Sequence, residues 1–505
     1  MNSSPTRTIR LAAILSLGLV ASFSAAADDP IVLDSHKQLF LDDYLIASMT
    51  RVKRTVELAQ KFSGNPVLWP TESWEPPMAI LYGSVIRDGG KFKMWYKSGL
   101  GVAYAESDDG IKWNKPRLDL TLVGGERSNI LFLKKSPTEG SEAFPYHHEI
   151  FGVHRDEREP DPARRYKMGF LDIHWKYDGP DGLPWRKNQR RGMGVATSPD
   201  GIHWTLIDNW ATSAIVDGAT HWMFDPVREK YVLYGRTLNI VPEVVAAWQT
   251  NGWFKQWFSG RAVARIESTD FIKWDFTKPG TAPVVMTADL QDKPITEIYS
   301  MKVFPYEGIY IGLVQVFHAT PDDSTLDVQL AVSRDTVQFT RVADRRRFLT
   351  LGAIGSWDRF NISLANNDPI VAGDELRFYY SGRMYRHTPY AGPDKGEEKS
   401  GIGFATIKRD RFVALEASFD SGEIVTRPIQ MKGTALHLNS KADFGEIVID
   451  LLDANGKLLA RSNAVQRDGL DIPVEWTEPL KSILEPTQLR IKLKNARLFA
   501  LWCTP

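Results

Sequence analysis

The chain has 505 residues, with 62 basic and 62 acidic side chains and a formal net charge of zero. Balanced charge gives no overall field that would attract nucleic acid or an anionic membrane, so neither partner is predicted. The single cysteine, Cys503, excludes an intrachain disulfide. Stability must therefore come from packing, and 43% hydrophobic and 11% aromatic residues are enough to build a large core.

The first segment has the composition of an export signal. Arg7 and Arg10 precede an apolar stretch at 11–23 that is too short to span a bilayer, and Ala25 to Ala27 form a small-residue cleavage pattern. We therefore predict a signal peptide over 1–27 and an exported protein, periplasmic or extracellular. No cysteine follows the apolar stretch and no later apolar run is long enough to span, so no membrane anchor is predicted.

Strand-like runs dominate the rest of the chain. Residues 28–66 contain LFLDDYLI and RTVELAQ, which predict an N-terminal arm packing on the next domain. From 67 to 415, runs with period-two alternation come in sets of three, beginning with ILYGSVIRD, KFKMWYKS and GVAYAES. Five such sets, each followed by a short fourth strand such as KWNKP or HWTLID, predict a five-bladed β-propeller carrying the catalytic site.

A phrase repeats at the end of the third strand in each set. ESDDGIKW at 106–113 and TSPDGIHW at 197–204 are followed by STDFIKW, SRDTVQF and the degenerate TIKRDRF, at intervals of 91, 70, 65 and 73 residues. Long, fairly regular intervals are typical of a repeat architecture. We interpret the phrase as a turn device, in which Ser and Asp cap the turn and the aromatic wedges between blades; the acids concerned are Asp109, Asp200, Asp270 and Asp335.

The pattern changes after residue 415. SGEIVTRPIQM, TALHLNS, GEIVIDLLDANGKLLA and QLRIKLKNARLFALW are strand-like, and Asp453 to Gly456 fit a hairpin turn. Residues 416–505 are therefore predicted to form a small β-sandwich accessory domain. The fold class predicted for the whole chain is all-β.

Two motifs carry a resemblance to a known family. YGSVIRDGGKFKMWY followed by VAYAESDDGIKWNKP, together with GEIVIDLLDANGKLL, resembles exported five-bladed propeller proteins related to family 32 and family 43 glycoside hydrolases. The resemblance extends from about residue 38 to the end. It implies a propeller and a glycosidase, with inversion as the usual outcome on the family 43 side. The invertase-like Trp-x-Asn-Asp-Pro-Asn and Arg-Asp-Pro signatures are absent, which speaks against fructan hydrolysis.

Propeller geometry places a site where first strands begin and second strands end. One acid per set stands at or before the first strand, and a pair of converging carboxylates is what glycoside hydrolysis needs. With 62 acids in the chain, some of these positions are acidic by chance, so only two or three are expected to act, Glu297 and Asp358 first. The candidate catalytic residues are Glu297, Asp358, Glu75, Glu149 and Asp217.

The ends of second strands and the loops after them supply candidate binding groups. Arg236 and Arg383 fit either a clamp on a sugar carboxylate or sulfate or buried ion pairs with the ring acids, and both interpretations stay open. Long aromatic loops after these strands would wall a pocket, which favours exo-action. The candidate substrate-binding residues are Arg236, Arg383, His148, His221, Asp172, Tyr385, His387 and Trp253.

No resident cofactor is predicted. His147 and His148 are adjacent, so on a strand they point to opposite faces, although a divalent ion or water on the axis stays open through His221. No serine-hydrolase elbow, phosphate loop or CxxC pair is present. The predicted function is an exported exo-acting glycosidase on a plant or algal polysaccharide or oligosaccharide; the alternatives are a non-catalytic carbohydrate-binding propeller and a glycan phosphorylase or lyase.

Overall fold

The computed structural model describes residues 29–133, 149–174, 190–214, 217, 219–238, 241–254, 258–387, 392, 394–480 and 485–505. The predicted signal peptide lies outside these ranges. Over the described residues the chain is nearly all-β, as predicted, with one α-helix, Pro242–Trp248, and two 3-10 turns, Pro162–Arg164 and Ala343–Arg345. No helix in these ranges is long and apolar enough to cross a bilayer.

Three four-stranded antiparallel sheets and one ten-stranded sheet follow one another along the chain. A single parallel pair, Leu326 with Asn361, divides the ten-stranded sheet into two antiparallel groups, and we number the resulting five groups as units one to five. Unit one contains Val85–Asp88, Lys91–Lys97, Gly101–Ser107 and Ile130–Leu133; unit two contains Ile150–Arg155, Tyr166–His174, Arg190–Ser198 and Thr205–Thr212. Unit three contains His221–Asp225, Lys230–Thr237, Ala262–Ser268 and Val284–Met286; unit four contains Thr296–Tyr306, Ile309–His318, Thr325–Ser333, Thr340–Arg341 and Arg347–Leu349. In unit five the first strand has two segments, Asn361–Leu364 and Ile370–Ala372, which both pair with the second strand, Glu375–Tyr385; Gly396–Lys408 and Gln60–Lys61 follow.

The fourth strand of unit one differs from the prediction. KWNKP makes only an isolated bridge between Glu106 and Asn114, and the outer strand is Ile130–Leu133 instead. Pro116 lacks the N–H that a continuing ladder would need, which explains why pairing stops there. A two-stranded ribbon, Leu118–Val123 with Glu126–Ser128, fills the interval.

The repeated phrase forms the predicted turn cap. Asp109 Oδ1 accepts hydrogen bonds from the backbone N–H of Ile111 at 2.7 Å and of Lys112 at 2.8 Å, and Ser107 Oγ accepts from Gly110 N–H at 2.9 Å. The same pair of backbone bonds to the Asp recurs at Asp200, Asp270 and Asp335. Gly110 has φ of 72°, a left-handed conformation that glycine adopts without strain.

Aromatic side chains link some of these turns to a neighbouring unit. Trp95 of unit one donates to the Gly201 carbonyl of unit two at 2.7 Å. Tyr379 of unit five donates to the Gly110 carbonyl of unit one at 2.7 Å, so the last unit contacts the first. Buried hydroxyl and indole donors that find carbonyl partners fix the units relative to one another.

Two sheets share one hydrophobic core at the C-terminal end, with Leu415 and Leu498 from one sheet and Ile424 and Ile491 from the other. One sheet contains Asp468–Pro473, Ala435–Lys441, Ala496–Thr504, Val413–Ala417, Lys53–Val56 and Gln38–Leu39. The other contains Ile46–Thr50, Gly422–Thr426, Gln488–Lys494, Glu446–Leu452 and Leu458–Arg461, and a parallel ribbon pairs Ile31–Leu33 with Ile429–Met431. The N-terminal arm therefore supplies strands mainly to these sheets, and only Gln60–Lys61 to unit five.

Candidate active site

Two buried tyrosines form the centre of the candidate site. Tyr82 precedes the first strand of unit one, and Tyr299 lies in the first strand of unit four. Both rings belong to one apolar cluster with Ala219 and Phe317. Segments from units one, three and four therefore meet here, as expected for the starts of first strands in a ring.

Asp217 lies beside this centre between two arginines. Arg236 Nη1 donates to Asp217 Oδ2 at 2.6 Å, and Arg191 Nη1 lies 3.3 Å from Asp217 Oδ1. The guanidinium of Arg236 also stacks over the Tyr299 ring at 4.1 Å from its centroid. The Asp217 side chain remains 34% exposed, so this carboxylate can reach a ligand.

Glu149 enters the same site from the start of unit two. Lys97 Nζ donates to Glu149 Oε1 at 2.7 Å and lies 5.8 Å from the Tyr82 ring centroid. The Glu149 side chain is 13% exposed. The negative charges of Glu149 and Asp217 are thus each compensated while part of each carboxylate stays open to solvent.

Glu297 is close to the site but fully enclosed. Its Oε1 accepts from the backbone N–H of Ser259 at 2.5 Å and of Gly260 at 2.9 Å, and its Oε2 pairs with Arg261. The residue is 0% exposed. Since both oxygens are occupied and no solvent reaches them, Glu297 anchors the chain that returns from the loop to unit three.

Arg383 and His387 complete the site from unit five. Arg383 Nη2 donates to the Tyr82 hydroxyl at 2.5 Å, and His387 Nε2 lies 3.2 Å from the Tyr299 hydroxyl. Arg383, His387 and Tyr385 line a cavity of about 330 Å³. That volume is at the lower end of the usual range for small-molecule sites.

The two central phenols differ in acidity. Burial raises the pKa of Tyr82 well above its ordinary value. Burial acts in the same direction on Tyr299, but the positive charges of Arg236, Arg383 and Arg261 outweigh it and hold the pKa of Tyr299 below its ordinary value. Tyr299 is therefore the phenol of this site that loses its proton more readily.

Beneath the site lies a buried polar layer. Lys302 Nζ donates to the Ala219 carbonyl at 2.6 Å, and a ring nitrogen of His221 lies 2.6 Å from the Val303 carbonyl. Burial lowers the pKa of Lys302, with Arg236 adding repulsion, and burial together with nearby Lys302 lowers the pKa of His221. Asn366 of unit five donates to the Thr220 carbonyl at 2.9 Å, so this layer also joins separate units.

Two of the predicted acids lie in other networks. Glu75 is fully buried and accepts from Lys115 Nζ and from the Tyr96 hydroxyl, both at 2.5 Å. Asp358 pairs with Lys61 Nζ at 2.6 Å and accepts from the Tyr380 hydroxyl at 2.9 Å. Neither network shares a residue with the contacts around Tyr299 described above. The structure therefore does not bring Asp358 together with Glu297 as the paired carboxylates of the sequence prediction.

The remaining predicted binding residues are spread more widely. Asp172 is buried on the second strand of unit two, opposite Gly192. Trp253 is exposed, next to Phe254, which packs against the Tyr82 and Tyr299 cluster. His148 lies outside the described residues. Within the described ranges, no group of three or more His, Cys, Asp or Glu side chains is placed to hold a metal ion.

Sequence reasoning missed several members of this site, namely Tyr82, Lys97, Arg191, Arg261 and Tyr299. Lys97 had a signal, because it ends the second strand of unit one just as Arg236 and Arg383 lie near the ends of theirs. Tyr299 lies two residues after Glu297, and the alternation of a strand would have paired them. The positions of Arg191 and Arg261, on third strands or beside them, carried no signal.

Comparison with other sequences gives short partial matches. No protein-family model matches the chain. The uncharacterized protein Rv1502 of Mycobacterium tuberculosis (strain ATCC 25618 / H37Rv) is 30% identical over 189 residues, which are 32% of this chain and 54% of that protein. The uncharacterized protein MT1551 of Mycobacterium tuberculosis (strain CDC 1551 / Oshkosh) is 29% identical over 112 residues, 18% of this chain and 36% of that protein. The chain thus spans about half the length, or less, of these curated relatives.

Several solved structures are similar at low identity. An N-acetylgalactosamine deacetylase from F. plautii, in complex with blood group B trisaccharide, has a TM-score of 0.40 at 16% identity, covering 76% of this chain and 96% of that one. A thermostable family-43 glycoside hydrolase has a TM-score of 0.40 at 12% identity, covering 68% and 96%. A GH130-family structure has a TM-score of 0.45 at 14% identity, covering 74% and 97%.

Proposed function

We propose that this protein is a carbohydrate-active enzyme, an exported glycoside hydrolase that uses Glu149 and Asp217 as its pair of carboxylates. The observation that carries the proposal is the convergence of these two solvent-reachable acids, from units two and three, on one cluster of phenol and guanidinium groups. Glycoside hydrolysis requires one carboxyl group to protonate the leaving oxygen and a second to activate water or attack carbon.

Exposure and partners decide which of the five predicted acids are favoured. Glu297 and Glu75 are 0% exposed, and Asp358 is 2% exposed. Each is held by charged and neutral donors, so displacing them toward a substrate would break a buried network. Glu149 and Asp217 keep part of their surface open, and a catalytic group must lie within hydrogen-bonding reach of the substrate.

The surroundings suggest a division of roles. Positive charges on both sides of Asp217, from Arg191 and Arg236, stabilise its carboxylate form. Asp217, which lies between two guanidinium groups, is therefore assigned as the base that activates water, and Glu149, whose Oε1 accepts from Lys97, as the proton donor. With a water between them the reaction would invert the anomeric carbon, which proton NMR of the first-formed anomer would test.

A second candidate is a lyase acting on uronic acid residues. It is favoured by the position of Tyr299, whose ring centroid lies 4.1 Å from the Arg236 guanidinium and 5.8 Å from that of Arg261. Burial raises the pKa of Tyr299, but these cations and Arg383 outweigh it and hold that pKa below its ordinary value. β-Elimination needs a base to remove the proton next to a carboxylate, and cations that stabilise the charge developing on that carboxylate. Tyr299 would supply the base and Arg383 the cation. The product would carry a double bond that absorbs ultraviolet light.

Further proposals concern architecture and location. The five units are proposed to be the blades of one propeller, and the contact from Tyr379 to Gly110, which joins unit five to unit one, supports a closed ring. The two C-terminal sheets around their shared core are proposed to form a sandwich. Export to the periplasm or beyond, and exo-action on a plant or algal polysaccharide or oligosaccharide, rest on the sequence pattern alone.

The test is a screen of purified protein against plant and algal polysaccharides, with and without phosphate. Release of reducing sugar independent of phosphate is expected; ultraviolet absorbance without net hydrolysis would identify the lyase, and dependence on phosphate a phosphorylase. Glu149→Gln and Asp217→Asn should each lose about two or more orders of magnitude in turnover. Glu267→Gln is the matched control, because Glu267 is paired with Lys230 and Arg265 on the third strand of unit three. Full activity in both site variants would contradict the assignment.

A further inference from the structure

Arg383 is a buried cation without a carboxylate partner among the described residues. Its guanidinium lies 5.7 Å from the Tyr82 ring centroid and 5.6 Å from that of Tyr385, and it donates to the Tyr82 hydroxyl. Its Nε is buried and has no hydrogen-bond partner. The side chain therefore faces phenol groups, whereas Arg236, Arg261 and Lys97 each face an acid.

The contrast with those other cations is clear. Arg236 pairs with Asp217 at 2.6 Å, Arg261 pairs with Glu297, and Lys97 pairs with Glu149 at 2.7 Å. Burying a charge without a partner costs stability, because the protein replaces the lost hydration only in part. A buried guanidinium that lacks a carboxylate partner is therefore suited to bind the negative charge of a ligand.

The cavity beside Arg383 is, like Arg383 itself, positively charged. Arg386 and Lys395 line it together with Arg383 and the imidazole of His387, and among the described lining residues Glu398 is the acidic one. Arg386 is directed partly toward backbone, donating from Nε to the Asp394 carbonyl at 3.0 Å. A cavity lined by more cations than acids attracts anionic ligands and rejects cationic ones.

We propose that Arg383 binds an anionic substituent, a carboxylate or a sulfate, on the sugar that occupies this cavity, so that the substrate is an acidic glycan. The proposal rests on the proposed carbohydrate function and narrows its substrate class. A planar guanidinium can hold two oxygens of either anion at once, which gives orientation as well as affinity. The proposal also assigns one of the two interpretations of the sequence to each arginine. Arg236 forms an ion pair with an acid of the site, and Arg383 binds the anion of the sugar.

The experiment is calorimetric binding to the full-length protein. The ligands are glucuronic and galacturonic acid, their methyl esters, glucose and galactose, and a galactose sulfate. The ester differs from the acid only in charge, so the wild-type protein alone tests the idea. We expect the acid or the sulfate to bind about 10- to 100-fold more tightly than the uncharged sugars, and Arg383→Gln to abolish that preference.

The stability of the Arg383→Gln variant shows whether Arg383 binds a ligand or stabilises the fold. If the charge of Arg383 has no partner, Arg383→Gln should unfold at the same urea concentration as wild type or a higher one. Arg345→Gln is the control, because Arg345 pairs with Asp289 and Asp292 away from the cavity; it should lose stability and keep the preference for acid. Preference for the sulfate over the uronates would assign the anion as a sulfate ester.

Three results would overturn the proposal. One is equal binding of acids, esters and neutral sugars; another is no binding of any acidic sugar; the third is a stability loss in Arg383→Gln as large as that in Arg345→Gln. Cleavage of neutral glycans without a preference for acid would refute acidic recognition while leaving the proposed hydrolase intact. Anion binding without cleavage of any glycan would refute the proposed hydrolase while leaving acidic recognition intact.

Discussion

The turn device at the end of the third strand gives the sharpest test of the fold. Asp109 and its neighbour Asp108 are both exposed, but it is Asp109 that accepts from two backbone N–H groups of the turn and from Ser107 Oγ. Asp109→Ala leaves two turn donors to water and loosens the carbonyl of Gly110, which Tyr379 of unit five contacts. By analogy with a helix cap, whose loss costs 0.5–2 kcal/mol, we expect a cost of about 1–2 kcal/mol. Asp108→Ala, one residue away, should be near neutral.

The pH dependence of this difference follows from the pKa of Asp109. Backbone hydrogen bonds from Lys112 and Ile111 hold that pKa below its ordinary value of 3.8. A carboxyl group with a lowered folded-state pKa stabilises the protein above its unfolded pKa and loses that contribution as pH falls through the folded value. The gap between wild type and Asp109→Ala should therefore be complete at neutral pH and shrink below about pH 3.8.

The assay is urea denaturation followed by tryptophan fluorescence, for wild type, Asp109→Ala and Asp108→Ala, at neutral and acidic pH. Glycan turnover is measured at a temperature where all three are folded, and it should stay near wild type. Equal destabilisation by the two variants would refute the capping argument. A folded Asp109→Ala that loses more than about a hundredfold in turnover would give the residue a catalytic role, since general acid–base groups contribute effects of that size.

Three other predictions test the site and its surroundings. In wild type, ultraviolet difference titration should show a tyrosinate forming below the usual tyrosine range, and Tyr299→Phe should remove it; an unchanged titration would contradict the lowered pKa of Tyr299. Lys115→Met leaves the buried Glu75 without its cation and should cost about 3–5 kcal/mol by urea denaturation; a cost under about 1 kcal/mol would show that the pair is not buried as described. Asp358→Asn should lower the melting temperature and leave turnover unchanged, whereas Glu149→Gln should lower turnover and leave the melting temperature unchanged. Loss of turnover in Asp358→Asn together with full turnover in Glu149→Gln would restore Asp358 as a catalyst.

The repeated units were predictable because their information is local. Period-two alternation and the Ser-x-Asp phrase each depend on residues within one strand or one turn, and the structure has both in every unit from one to four. The outer strand of unit one was not predictable in the same way. The outer strand, Ile130–Leu133, follows an inserted ribbon and pairs with Gly101–Ser107. The nearer KWNKP is strand-like in sequence except for Pro116, which cannot donate to a ladder.

For the candidate site, the sequence named some of the residues that lie together in the structure, but not which residues pair with one another. The rule on strand starts and ends named Glu149, Asp217 and Arg236, which the structure brings together. The same rule named Asp358, whose partner Lys61 comes from the N-terminal arm nearly three hundred residues earlier. A sequence pattern assigns a residue to one end of a strand, but which charge neutralises it depends on contacts between distant segments.

Equivalent positions in repeated units can be compared for which residue neutralises their charge. Lys97, Arg236 and Arg383 each lie near the end of a second strand, so the same structural place holds a cation in units one, three and five. In two of the three, an acid from the start of a first strand neutralises the cation, which makes ion pairing the default use of the position. Arg383 breaks that pattern, because its neighbours are phenols and a cavity. Where a repeat keeps a buried charge and the described residues supply no acid to neutralise it, the partner is best sought in the ligand.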